Sequence, residues 1–301
     1  MKKIGLALGS GGARGLSHIG VLKVFEQEKV PISYLAGASM GAIVGACYAT
    51  DPNIANVEQK IKTVLSKYIP QAKMRIFSDK QNNQKSFVSN AKEFIKQGYL
   101  HYVEETQYSL FSLEKLKEPI YELIPDIDIS QTKIPLCIVV TDLENALPVY
   151  LTCGRLRNAV LASSSIAGIF PPVRINGFLC NDGGYVGSTP VPAIKRMGAQ
   201  LIVGVDVKGK VSKNANLEKA GETLARSKYI SAILLNNLLL KEANVVISAD
   251  VKNYKWISFD KIDLLISKGE TAAREKIKLI KELANESVLS TAVKKLLRLK
   301  N

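Results

Sequence analysis

Two short apolar runs open the chain, at residues 3–8 and 34–38, and each ends in glycine and other small residues just before a helical pattern. An apolar run that does not alternate, and that glycines bound, reads as a strand buried on both faces. After the first run, Leu16, Ile19, Leu22 and Phe25 fall on one face of a helix that stops near Lys29, ahead of Pro31. After the second, a helix is expected over residues 40–48. Strand, loop, helix, strand, turn, helix is the order of a parallel sheet with crossover helices, and few topologies accept it.

The segment 51–130 breaks this rhythm. It is polar, Lys-rich and helix-prone, with scattered aromatics at Tyr68, Phe77, Phe87, Phe94, Tyr99, Tyr102, Tyr108 and Phe111. It reads as a helical insertion beside the sheet, either amphipathic cover or a cap that lines an acyl pocket or dips into lipid. Strands return at 135–141 and 149–153, with a helix at 158–164 between them and a hairpin over 173–180 that turns at Asn176-Gly177. A tight turn follows at Asn181-Asp182-Gly183-Gly184. Strands are expected at 201–207 and 244–248, and helices over 217–241 and 260–299. With no internal repeat and no low-complexity linker, the chain reads as one domain. It has an α/β core over 1–207, interrupted by the insertion, and a mainly helical C-terminal extension over 208–301 packed on the same domain. The expected class is a three-layer α/β/α fold with a mostly parallel central sheet.

Of the 301 residues, 47% are hydrophobic and 23% charged, which supports a large core and excludes general disorder. The net charge is +14, but Lys and Arg are dispersed; the densest stretch holds Lys294, Lys295, Arg298 and Lys300. Dispersed charge reads as a solvated basic surface, or as attraction to anionic lipid head groups, with no nucleic-acid partner expected. Cys47, Cys137, Cys153 and Cys180 form no C-x-x-C pair and sit in apolar stretches, so they are expected to be reduced and structural. No apolar run approaches the roughly 18 residues of a membrane span, and the stretch after Met1-Lys2-Lys3 is too short for a signal peptide. The expectation is a cytoplasmic protein with peripheral membrane contact.

Chemistry concentrates in three places. Gly37-Ala38-Ser39-Met40-Gly41 is a G-x-S-x-G pentapeptide set where a strand passes into a helix. That turn strains the serine backbone, admits only small neighbours and presents the hydroxyl at a helix N-terminus. Ser39 is therefore a candidate nucleophile; the bland alternative is a small-residue turn for tight packing. Gly9-Ser10-Gly11-Gly12-Ala13-Arg14-Gly15 follows the first strand and can aim backbone N–H groups at an anion. A dinucleotide site would want an acidic residue at the end of the next strand, and a P-loop would want Gly-Lys-Ser/Thr; neither is present. An oxyanion is the target that remains.

A nucleophilic serine needs a base. There are two histidines: His18, read as a packed helical residue, and His101, in the polar insertion. No histidine follows Asp182, so the Ser–acid–His order of α/β-hydrolases is not met with Asp182 as the acid. Asp182 is the candidate base, if its site is dry enough to raise its pKa; otherwise it shapes an Asp-Gly turn.

Taken in order, the glycine loop, the G-x-S-x-G elbow and Asp182-Gly183-Gly184 resemble the motifs of the patatin-like phospholipase family, with the look of its small bacterial members. Ala162-Ser163-Ser164 and Phe170-Pro171-Pro172 are similar to the family's segment upstream of the aspartate, and the likeness covers roughly residues 4–207. The resemblance implies a Ser39–Asp182 dyad, an oxyanion hole from the Gly11, Gly12, Ala13 and Arg14 backbone, and structural glycines at 37, 41, 183 and 184. It implies hydrolysis of phospholipid or other fatty-acyl esters through an acyl-serine, with no metal or cofactor. Ser10 departs from the pattern, standing where many members carry glycine. The rival expectation is an inactive member that binds lipid or a regulatory partner.

Overall fold

The computed structural model describes residues 1–69, 109–208 and 220–286. The first half runs β1 (Ile4–Leu8), α1 (Ser17–Gln27), β2 (Tyr34–Gly37), α2 (Met40–Thr50), α3 (Ile54–Tyr68) and α4 (Glu114–Leu123). The second runs β3 (Leu136–Asp142), β4 (Leu147–Leu151), α5 (Leu156–Ser164), β5 (Val173–Ile175), β6 (Phe178–Asp182) and α6 (Val191–Arg196). It closes with β7 (Leu201–Asp206), α7 (Ala220–Leu240), β8 (Val245–Ser248) and α8 (Ile262–Asn285).

The strands form one mixed sheet in the order β5-β6-β3-β2-β1-β7-β8, with β4 also paired to β3. The run β3-β2-β1-β7-β8 is parallel throughout. Alternation along the strands splits the core. Leu6, Leu8, Leu35, Ile138, Val203 and Val205 join the large cluster that includes residues of α1, α2, α3, α5 and α8. Ala7, Ala36, Cys137 and Ile202 face the other way, onto Val191 and Ile194 of α6. Small residues on that second face let α6 approach closely: a side chain at Gly5 would collide with Ile194 and Ala199.

The register of β3 fixes the rest. Val140 pairs with Val149 of β4 on one side and Asp182 of β6 on the other. Ile138 pairs with Leu151 of β4 and with Gly37 of β2. A strand has two edges, so β2 and β6 share one edge of β3. They approach from opposite directions, and Gly37 and Asp182 end opposite Ile138 and Val140. Ser39 and Asp182 are brought together by this head-to-head arrangement.

Three expectations need correction. β4 starts at Leu147, two residues before the expected strand, because an edge strand tolerates Pro148. Cys153 is exposed beyond β4 instead of buried, while Cys47, Cys137 and Cys180 are buried, and all four are free thiols. α8 stops at Asn285, with extended backbone at Glu286. Of the insertion, α3 and α4 serve as cover: Ile54, Val57, Ile61, Val64, Ile120 and Leu123 are buried in the large cluster. Phe77, Phe87, Phe94, Tyr99, His101, Tyr102 and Tyr108 lie outside the described residues, as do residues 217–219 and the basic stretch from Lys294 to Lys300. Among the described residues, no helix is long and apolar enough to cross a membrane.

Candidate active site

Ser39 follows β2 directly and caps α2, with φ 55° and ψ −123°. Left-handed backbone at a serine costs about 1–3 kcal/mol and persists only where the surroundings impose it. The imposing contacts are specific. The Ser39 N–H donates to the Ser163 hydroxyl at 3.0 Å, and that hydroxyl donates to the Val139 carbonyl at 2.7 Å. Ser163, on α5, thus bridges the gap left on the β3 edge between the ends of β2 and β6. Ala38 N–H donates to the Leu8 carbonyl at 3.2 Å. A side chain at Gly41 would collide with that same carbonyl, and one at Gly37 with the Gly41 backbone. Both glycines are demanded by close approach, as the elbow reading requires.

Asp182 is buried at the end of β6. Its carboxylate accepts the Gly184 N–H at 2.7 Å, with the Ser39 side chain close by. Burial pushes its pKa up to about 6, against the opposing pull of the Ser39 side chain, the Gly184 N–H and the Lys208 charge. The backbone is fixed on both sides, since Asp182 N–H donates to the Ser165 carbonyl at 2.9 Å and Thr141 Oγ1 donates to the Asp182 carbonyl at 2.9 Å. Gly183 lies against the Val139 carbonyl with no room for a side chain. Gly184 lies against the Ser10 side chain, so the residue that departs from the family pattern is the contact between the glycine loop and the aspartate turn.

The glycine loop is tied down at intervals. Gly9 and Ser10 donate to the Val205 and Ser188 carbonyls, at 3.2 and 2.7 Å. His18 is buried, as expected, and its Nε2–H donates to the Gly9 carbonyl at 2.7 Å; burial pushes its pKa down to about 4, so it is neutral at pH 7. Gly12 has φ 56° and presses on the Trp256 carbonyl. Of the four expected oxyanion residues, Ala13 has its N–H committed to that carbonyl, at 2.6 Å. Among the described residues, the N–H groups of Gly11 and Gly12 have no protein acceptor, as befits the start of a helical turn. Arg14 folds back, with Nε 3.4 Å from the Gly11 carbonyl and Nη1 3.3 Å from the Lys208 carbonyl.

Two members of the site were missed in the sequence. One is the bridging role of Ser163. The other is Lys208, just past β7, whose amine is pushed down by burial while Asp182 and Asp206 attract it and Arg14 repels it. The signal that marks Lys208 is its place after a parallel strand's C-terminal end, where open α/β sheets bind ligands.

A family model described as patatin-like phospholipase matches residues 6–194. The chain is 32% identical over 206 residues to neuropathy target esterase sws of Drosophila melanogaster, covering 68% of this chain and 13% of that protein. It is 28% identical over 213 residues to lysophospholipase nte1 of Aspergillus fumigatus, covering 71% of this chain and 12% of the relative. The chain thus spans about an eighth of the length of these curated relatives. Among solved structures, VipD from Legionella pneumophila overlaps 91% of this chain and 66% of its own, with TM-score 0.45 and 13% identity. The family match takes in the end of β1, the glycine loop, the elbow and the aspartate turn, well over half of the chain: it belongs to the patatin-like phospholipase family.

Proposed function

We propose that the chain hydrolyses fatty-acyl esters of lipids with Ser39 as nucleophile and Asp182 as general base. The observation that carries this is the side chain of Ser39, on a strained turn, set close to a buried carboxylate whose pKa is pushed up to about 6. Such a carboxylate is ionised at neutral pH, yet is a stronger base than one in water. In the first half-reaction, Asp182 takes the hydroxyl proton as Ser39 Oγ bonds to the ester carbonyl carbon. The negative oxygen of the tetrahedral intermediate is held by the N–H groups of Gly11 and Gly12, each such donor being worth about 2.7–4 kcal/mol. The C–O bond to the alcohol then breaks and Asp182 returns its proton to the leaving oxygen. In the second half, Asp182 takes a proton from water, the resulting hydroxide attacks the acyl-Ser39 carbonyl, and the fatty acid leaves as the serine is reprotonated.

The substrate class is drawn from the segment shared with relatives named esterase and lysophospholipase. Lysophospholipid is accordingly the first substrate to try. Purified protein should be labelled by a fluorophosphonate probe, and Ser39→Ala should abolish both labelling and release of fatty acid. Undiminished labelling of Ser39→Ala would sink the assignment of the nucleophile.

A further inference from the structure

One side of α7 is built into the protein. Ile233 and Asn236 are buried, and the Asn236 amide accepts the Thr189 N–H and donates to Asp206. The opposite side faces outward and is mostly apolar, with Thr223, Ser227 and Ser231 among large apolar residues and the Ser231 hydroxyl donating back to the Ser227 carbonyl at 3.2 Å. Ile230, Leu234 and Leu238 recur every four residues and are 38%, 59% and 59% exposed. Leu224 and Leu235 are exposed beside them. At 3.6 residues per turn, the five cover an arc of about 140°, with Arg226 at one margin and Lys228 at the other. A surface helix ordinarily turns a polar face to water, and an exposed apolar stripe with a polar rim marks a contact surface.

The stripe stands next to the candidate site. Tyr229 of α7 donates to the Lys208 carbonyl at 3.0 Å, the same oxygen that Arg14 of the glycine loop reaches. Farther along the helix, Leu239 packs against Gly187, in the loop after the aspartate turn. Two aromatics are exposed around the site as well: Tyr185, in the turn after Asp182, at 49%, and Trp256, whose carbonyl receives the Ala13 N–H, at 44%. Exposed Tyr and Trp suit a boundary that is apolar on one side and wet on the other.

We propose that the outward face of α7, together with Tyr185 and Trp256, docks on an anionic phospholipid surface and sets the mouth of the site against it. The substrate's presence in that surface rests on the ester-hydrolase reading. Charge selects lipid over a second copy of the chain, because two molecules at +14 repel while anionic head groups attract.

The test uses the full chain with vesicles of phosphatidylcholine containing phosphatidylglycerol. Trp256 is the single tryptophan of the sequence, so its emission reports its own surroundings. The expected result is co-sedimentation with the vesicles and a blue shift of that emission. The double variant Leu234→Glu/Leu238→Glu should bind about a hundredfold more weakly, lose the shift, and turn over a water-soluble short-chain ester at the wild-type rate. Wild-type protein that stays in solution, or a double variant that binds equally well, overturns the proposal. So does a wild-type dimer that the double variant breaks, which would assign the stripe to a second copy. Vesicle binding that the variant loses, without hydrolysis of any ester, would uphold docking and remove the enzyme reading; turnover of the soluble ester without vesicle binding would do the reverse.

Discussion

Asp182, buried, and Asp206, half-buried, are carboxylates at strand ends, both raised in pKa by loss of water and both attracted to Lys208. Their partners separate them. Asp206 accepts the Lys208 N–H and the Asn236 side-chain amide, each at 3.1 Å, and Asn236 in turn holds the Thr189 N–H at 2.8 Å. These bonds join β7, α7 and the loop before α6 into one frame. Asp182 has instead the Ser39 side chain close by, whose hydroxyl proton it takes in the proposed reaction. Burial gives both groups basicity, and only the neighbour decides which of them is placed to use it.

The largest difference should appear in turnover. Asp182→Asn keeps the shape and removes the base, so kcat/KM should fall by about a thousandfold or more, whereas Asp206→Asn should cost far less per folded molecule. Equal losses in steady-state assays would erase the distinction drawn above. Stability should move the other way. The folded pKa of Asp182, about 6, lies above its ordinary value of 3.8, so its contribution is fully present at low pH and is lost as pH rises through 6. Asp182→Asn should therefore be more stable than wild type by roughly 2–3 kcal/mol at pH 8, and the gap should close toward pH 4 in urea melts. Asp206→Ala should instead lose about 1–3 kcal/mol, since it strands the Asn236 amide and the Lys208 N–H. The smallest effect is a shift. The kcat/KM profile should fall on the acid side with an apparent pKa near 6, and Lys208→Met should move that limb to higher pH by removing a charge that favours the carboxylate. An unmoved limb would separate Lys208 from the dyad.

The elbow and the aspartate turn could be read in the sequence because their chemistry is local. A serine between small residues at a strand-to-helix step, and glycines that must yield to carbonyls, leave a mark within five residues. Likewise, the apolar runs of β1, β3 and β7 announce a sheet buried on both faces. What escaped depends on distance along the chain. Ser163 reaches Ser39 across 124 residues, and nothing around it distinguishes it from its serine neighbours. The Ala13 N–H is withdrawn from the expected oxyanion set by a carbonyl at Trp256, far along the chain. The bounds of α6 are not legible in the sequence: it is a six-residue helix with prolines at 190 and 192, and packing against Gly5 and Ala7 holds it where propensity would not.

The head-to-head ends of β2 and β6 make β3 a ruler for the proposed dyad. The position of Asp182 along it is set by the β6–β3 pairing, in which Asp182, Asn181 and Cys180 face Val140, Thr141 and Asp142. A slip of β6 by one residue would slide the carboxylate by about 3.3 Å and send it to the opposite face of the sheet. A change of pairing alone, with Ser39 and Asp182 both still present, would thus take the dyad apart.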